Sequence, residues 1–83
     1  MLVEVSETAK KQFKKLDNSI QKAIQKQIKE IEALPNPRMR GKALLSNLRD
    51  LWRYRVGDYR LICEIQDNKL IILVLEIGQE RYL

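Results

Sequence analysis

The sequence predicts an α+β fold in which an N-terminal strand and a two-helix hairpin pack on one face of an antiparallel β-sheet. Three observations predict it: a short alternating segment at the start, two stretches of helical periodicity ended by prolines, and three strand-like runs separated by turn dipeptides. The chain has 83 residues, too few for two independent cores, so residues 1–83 are read as a single domain.

Leu2 to Val5 alternates apolar residues with Glu4, the pattern of a half-buried strand. Ser6 follows as an N-cap, and Ala9, Phe13 and Leu16 recur at helical spacing behind it. Asp17 or Asn18 can cap a second, longer helix with one apolar stripe of Ile20, Ile24, Ile28 and Ile31, while Lys22, Lys26 and Lys29 lie off the stripe. Pro35 and Pro37 stop that helix, because proline lacks a backbone donor and drives the preceding residue out of helical conformation. From Pro35 to about Leu48 the pattern is irregular, and Arg38, Arg40 and Lys42 gather around Gly41 in what reads as a basic loop. Strands are predicted at Leu51 to Val56, Tyr59 to Ile65 and Leu70 to Ile77, with Gly57-Asp58 and Asp67-Asn68 as the turns.

If Gly57-Asp58 is a two-residue hairpin loop, the register follows. Val56 faces Tyr59, Arg55 faces Arg60, Tyr54 faces Leu61 and Trp52 faces Cys63. Trp52, Tyr54, Val56, Tyr59, Leu61, Cys63 and Ile65 then share the face that meets the helices, and Arg53, Arg55 and Arg60 share the other. Opposed like charges weaken a strand pair, so Arg55 against Arg60 is a cost that an anionic ligand reverses. Arginine suits phosphate, being planar, many-handed and charged at any working pH. The competing reading is that Glu64, Glu76 or Glu80 neutralises these arginines.

Sixteen Lys and Arg against eleven Asp and Glu give a net charge of +5, which favours polyanionic partners. There is no histidine and one cysteine, Cys63, read as a small core residue. The sequence therefore offers no internal disulfide, no zinc ligand set and no Ser/His/Asp triad; it also lacks a glycine-rich phosphate loop and a carboxylate cluster suited to magnesium. No cofactor and no metal are expected. The longest apolar run, Leu70 to Leu75, is far short of a membrane span, and a cytoplasmic location is expected.

The stretch from Leu51 to Ile62, LWRYRVGDYRLI, with Asp67 to Val74 and Gly78 behind it, resembles the core of RelE-type toxins in the RelE/ParE superfamily. The upstream helices ending near Pro35 and the basic loop reaching Lys42 are similar too, so the resemblance spans essentially the whole chain. It implies a type II toxin: a metal-independent, ribosome-dependent endoribonuclease that cuts mRNA in the ribosomal A site, inhibits translation and is neutralised by a cognate antitoxin. Operator DNA would be met through the antitoxin complex. On that resemblance Arg60, Arg55, Arg81 and Tyr82 are the catalytic candidates, and Arg53, Arg55, Lys42, Arg40 and Arg38 the RNA-binding ones.

RNA cleavage through a 2′-hydroxyl also needs a proton acceptor and a proton donor. Lys42, Glu80 and Tyr82 are the candidates, and spacing does not choose among them. The tail departs from the family pattern: Gln79 and Glu80 stand where His and Arg are common, although the Arg81-Tyr82 pair resembles the ending of YoeB toxins. Two other functions stay open, a ParE-like toxin that poisons DNA gyrase by binding and a catalytically degenerate antitoxin-binding module.

Overall fold

The computed structural model describes residues 1–44 and 51–79. Strand β1 (Leu2–Val5) leads into helices α1 (Glu7–Lys14) and α2 (Asn18–Ala33); then come β2 (Lys42–Leu44), β3 (Leu51–Val56), β4 (Tyr59–Gln66) and β5 (Ile71–Gln79). The strands form one sheet in the order β1-β5-β4-β3-β2. The α+β expectation holds, with two additions. β1 pairs parallel to β5, which makes the sheet mixed, and residues 42–44 of the expected basic loop form an edge strand. Both follow from the helical hairpin, which carries the chain from one edge of the sheet to the other across its full width.

Each helix starts and stops where local chemistry dictates. The Ser6 hydroxyl accepts from the Ala9 amide at 3.1 Å and donates to the Leu75 carbonyl at 2.9 Å, so one side chain caps α1 and ties its start to β5. Asp17 is the N-cap residue of α2, without a capping bond from its side chain. Leu34, preceding Pro35, leaves the helix at φ −69° and ψ 137°, the extended conformation that a following proline enforces.

The expected β3–β4 register is observed pair for pair, from Trp52 opposite Cys63 to Val56 opposite Tyr59. Gly57 turns the hairpin at φ 58° while Asp58 stays out of the left-handed region, an order that suits a type II′ turn. The third predicted strand begins one residue later than expected, because Leu70 adopts the left-handed conformation (φ 57°) that ends the short 3-10 turn at Asp67–Lys69.

β5 departs from strict alternation at one point. Ile62 pairs with Glu76 but Cys63 pairs with Val74, so Leu75 is an extra residue, a β-bulge. Strict alternation from Ile72 and Val74 would send Glu76 into the core. The bulge reverses the phase, placing Ile77 inside and Glu76 and Gly78 on the far face.

Tyr54, Leu61, Cys63, Ile72, Val74 and Ile77 from the sheet close over Ala9, Ile24 and Ile31 from the helices, and Phe13, Leu16, Ile20, Ile28 and Trp52 pack around them. This is the apolar face read from the sequence. No helix among the described residues is long and apolar enough to cross a membrane.

Burial raises the Cys63 thiol from 9.0 to about 12. It raises the Tyr54 phenol from 10.0 to about 12, aided by Cys63 and opposed by Arg38. Both groups are neutral when protonated, so the unfolded chain loses these protons first. Stability is therefore fully present below about pH 9 and falls as pH rises toward about 12. Thermal melts from pH 8 to 11.5 should show a flat Tm to about pH 9 and then a decline that is shallower in Cys63→Ala; equal slopes would refute the assignment.

Candidate nucleic-acid interface

The face of the sheet turned away from the helices divides into two halves. On β2, β3 and β4 it carries Lys42, Arg53, Arg55 and Arg60, with Lys42 opposite Arg53 and Arg55 opposite Arg60. On β1, β5 and the far end of β4 it carries Leu2, Glu4, Glu64, Ile71, Leu73 and Glu76. Directly opposed side chains start about 5 Å apart, so the basic half holds two like-charged cross-strand pairs.

Salt bridges among the described residues join Lys10 to Glu7, Arg38 to Asp67 and Arg40 to Glu30. None takes in Lys42, Arg55 or Arg60. Among the described residues Arg55 reaches only its own hairpin, its Nε donating to the Gly57 carbonyl at 3.3 Å. Arg55 and Arg60 thus pair with neither Glu64 nor Glu76, which argues against the reading that these carboxylates neutralise them. Arg60 is half-buried on the central strand.

The other basic candidates are placed differently. Arg38 makes a two-pronged contact with the Asp67 carboxylate at 2.9 Å for each oxygen, and these hydrogen bonds, aided by its charge and opposed by partial desolvation, hold the Asp67 carboxyl below the usual range. Arg40 donates to Glu30 at 2.7 Å and to Gln27 at 3.3 Å, and likewise lowers the Glu30 carboxyl. Arg40 still lines a cleft at the β2 edge together with Lys42, Arg53 and Arg55. Arg81, Tyr82 and Glu80 lie outside the described residues. The last described residue, Gln79, pairs with Tyr59, one position from Arg60.

Lys42 reaches this face because of two bonds that sequence spacing did not reveal. The Tyr54 hydroxyl donates to the Pro37 carbonyl at 2.7 Å within the core, and the Trp52 indole donates to the Arg40 carbonyl at 2.7 Å. Together they draw residues 37–41 onto β3. Gly41 completes the approach at φ 80°, where an added Cβ would collide with the Arg53 carbonyl and stand 2.6 Å from the Trp52 Nε1. Gly41→Ala should therefore cost at least about 2 kcal/mol, combining left-handed strain with a backbone clash that cannot relax cheaply. Urea denaturation measures it, and a loss under about 0.5 kcal/mol would contradict the packing described.

A protein-family model described as the ParE toxin of the type II toxin–antitoxin system parDE matches residues 3–82. The chain belongs to the ParE toxin family. It is thus a type II toxin of the RelE/ParE superfamily, as its resemblance to the RelE core implied. Solved structures share the fold of this ParE-family toxin. A chain of the Mycobacterium tuberculosis RelBE2 toxin–antitoxin complex superposes with a TM-score of 0.83 at 25% identity, covering 95% of this chain and 96% of that one. A chain of the archaeal RelE–RelB complex of Pyrococcus horikoshii gives 0.76 at 23% identity, with 94% and 92% covered. One from the E. coli RelBE complex gives 0.75 at 20%, with 98% of each chain covered. No curated protein sequence matches the toxin.

Proposed function

We propose that this toxin is a metal-independent, ribosome-dependent endoribonuclease that cuts mRNA in the ribosomal A site and so inhibits translation. The observation that carries the reading is the pair Arg55 and Arg60, directly opposed and unmatched by the nearby carboxylates Glu64 and Glu76. Such a pair is destabilising in the free protein and becomes favourable around a phosphate.

In the reaction a 2′-hydroxyl loses its proton and attacks the adjacent phosphorus. The bond from phosphorus to the 5′-oxygen breaks, leaving a 2′,3′-cyclic phosphate, and the departing oxygen takes up a proton. Arg60 and Arg55 stabilise the charge that builds on the phosphoryl oxygens, the task at which fixed cationic donors are most effective. Arg53 and Lys42 hold the neighbouring backbone, and Arg40 and Arg38 extend the basic track only where phosphate displaces their carboxylate partners Glu30 and Asp67. Proton transfer falls to Lys42, Glu80 or Tyr82.

The partners that go with this reading are translating ribosomes, mRNA and a cognate antitoxin, with operator DNA met through the antitoxin complex, all in the cytoplasm. The antitoxin is supported by the solved relatives, toxin–antitoxin complexes from E. coli and M. tuberculosis and a RelE–RelB complex from P. horikoshii.

A second reading, poisoning of DNA gyrase by binding, is favoured by the ParE description of the matched family. Primer extension on an mRNA incubated with the protein, with and without translating ribosomes, separates the two. Cuts that require ribosomes support the ribonuclease. Intact message together with gyrase-dependent DNA breaks would replace it, and harmlessness with tight antitoxin binding would point to a degenerate module.

A further inference from the structure

Gly78 stands in β5 where no local requirement calls for glycine. Its φ is not in the left-handed region, unlike those of Gly41 and Gly57, and an added Cβ would meet nothing within 4 Å. Glycine in a paired strand weakens it, and among the reasons for keeping one there, with no turn at this position and no described neighbour against it, is close approach of another molecule.

Its position supports that reason. The bulge at Leu75 turns residue 78 onto the face away from the helices, where it lies directly opposite Arg60. On the other side of β5, β1 reaches only as far as Val5 opposite Val74, so no strand among the described residues flanks Gly78, and the neighbouring Ile77 amide donates to the Gln12 side chain of α1 at 2.7 Å. Beside Arg60 there is therefore a stretch of β5 backbone with no side chain standing on it. A side chain at residue 78 would rise about 5 Å from the base of Arg60, in the space a ligand must enter to meet the guanidinium.

We propose that Gly78 is the floor of the RNA subsite, its missing side chain letting a ribose-phosphate unit of single-stranded RNA lie against the β5 backbone within reach of Arg60. This rests on the ribonuclease reading above. Gly78 contributes no catalytic group; it sets how closely the substrate approaches.

The test uses full-length Gly78→Ala, Gly78→Val and Gly78→Leu beside Arg60→Ala, read by Tm, by binding of a short single-stranded RNA oligonucleotide in fluorescence anisotropy, and by ribosome-dependent cleavage. Melting temperatures should stay at or above wild type, since strand propensity improves and nothing clashes. RNA affinity and cleavage should fall with side-chain size, about 10-fold or more for valine and leucine. A Gly78→Val protein that binds and cuts like wild type overturns the proposal, as does one whose losses track a falling Tm. Cleavage that depends on Arg60 but not on Gly78 sinks the floor alone. Wild-type protein that neither binds nor cuts RNA sinks the ribonuclease reading and the floor with it.

Discussion

If the toxin is the proposed ribonuclease, Arg60→Ala should lower ribosome-dependent mRNA cleavage by at least about 100-fold while leaving the fold intact or slightly more stable. The activity loss is sized from the removal of a single preorganised charge-stabilising donor, which typically costs 10²–10³ in rate. The stability gain is the relief of the Arg55–Arg60 opposition, roughly 0.2–1 kcal/mol for a directly facing cross-strand pair. These effects have opposite signs, which makes the experiment decisive. A residue that only supported the sheet would lose stability and activity together. Arg60→Lys separates charge from geometry: it restores the positive charge but not the planar fork, so partial recovery is expected. An Arg60→Ala protein that remains toxic in growing cells would remove Arg60 from the mechanism and shift the case toward gyrase binding.

Tyr54 gives the largest expected effect on stability. It is fully buried at 0% exposure, the largest side chain so enclosed among the described residues, and its hydroxyl is tied to the Pro37 carbonyl. Tyr54→Ala removes an aromatic from the centre of the core, at a cost of about 3–5 kcal/mol. That is comparable with the whole stability of many small domains, so much of this variant should be unfolded at room temperature. Tyr54→Phe is the sharper probe. It keeps the ring and removes only the donor, leaving a buried carbonyl unmatched at roughly 1–3 kcal/mol. Because the bond anchors the segment leading to Lys42, RNA affinity should weaken in the folded Tyr54→Phe protein as well. Urea denaturation alongside RNA binding checks both; a phenylalanine variant within about 0.3 kcal/mol of wild type would show that the bond does not hold the segment.

The sequence by itself determined the α+β class, the helical hairpin, the Gly57-Asp58 turn and the β3–β4 register, because each is written in local signals. Ser6, Pro35 and Pro37 mark helix boundaries, Ile20 to Ile31 mark the buried stripe, and a two-residue turn fixes every cross-strand partner on either side. The opposition of Arg55 and Arg60 was legible for the same reason. What a local signal does not reach, only the tertiary structure decided. Arg38, Arg40 and Lys42 read alike along the chain, yet Asp67 draws off the first and Glu30 the second, across separations of 29 and 10 residues, while pairing with β3 sets Lys42 against Arg53. The parallel pairing of β1 with β5 depends on how far two helices carry the chain, which periodicity does not encode. The placement of Glu76 and Gly78 depends on a bulge at Leu75 that strict alternation would have forbidden. The bulge occurs because burying Ile77 and freeing the Glu76 carboxylate outweighs one interrupted rung of the sheet.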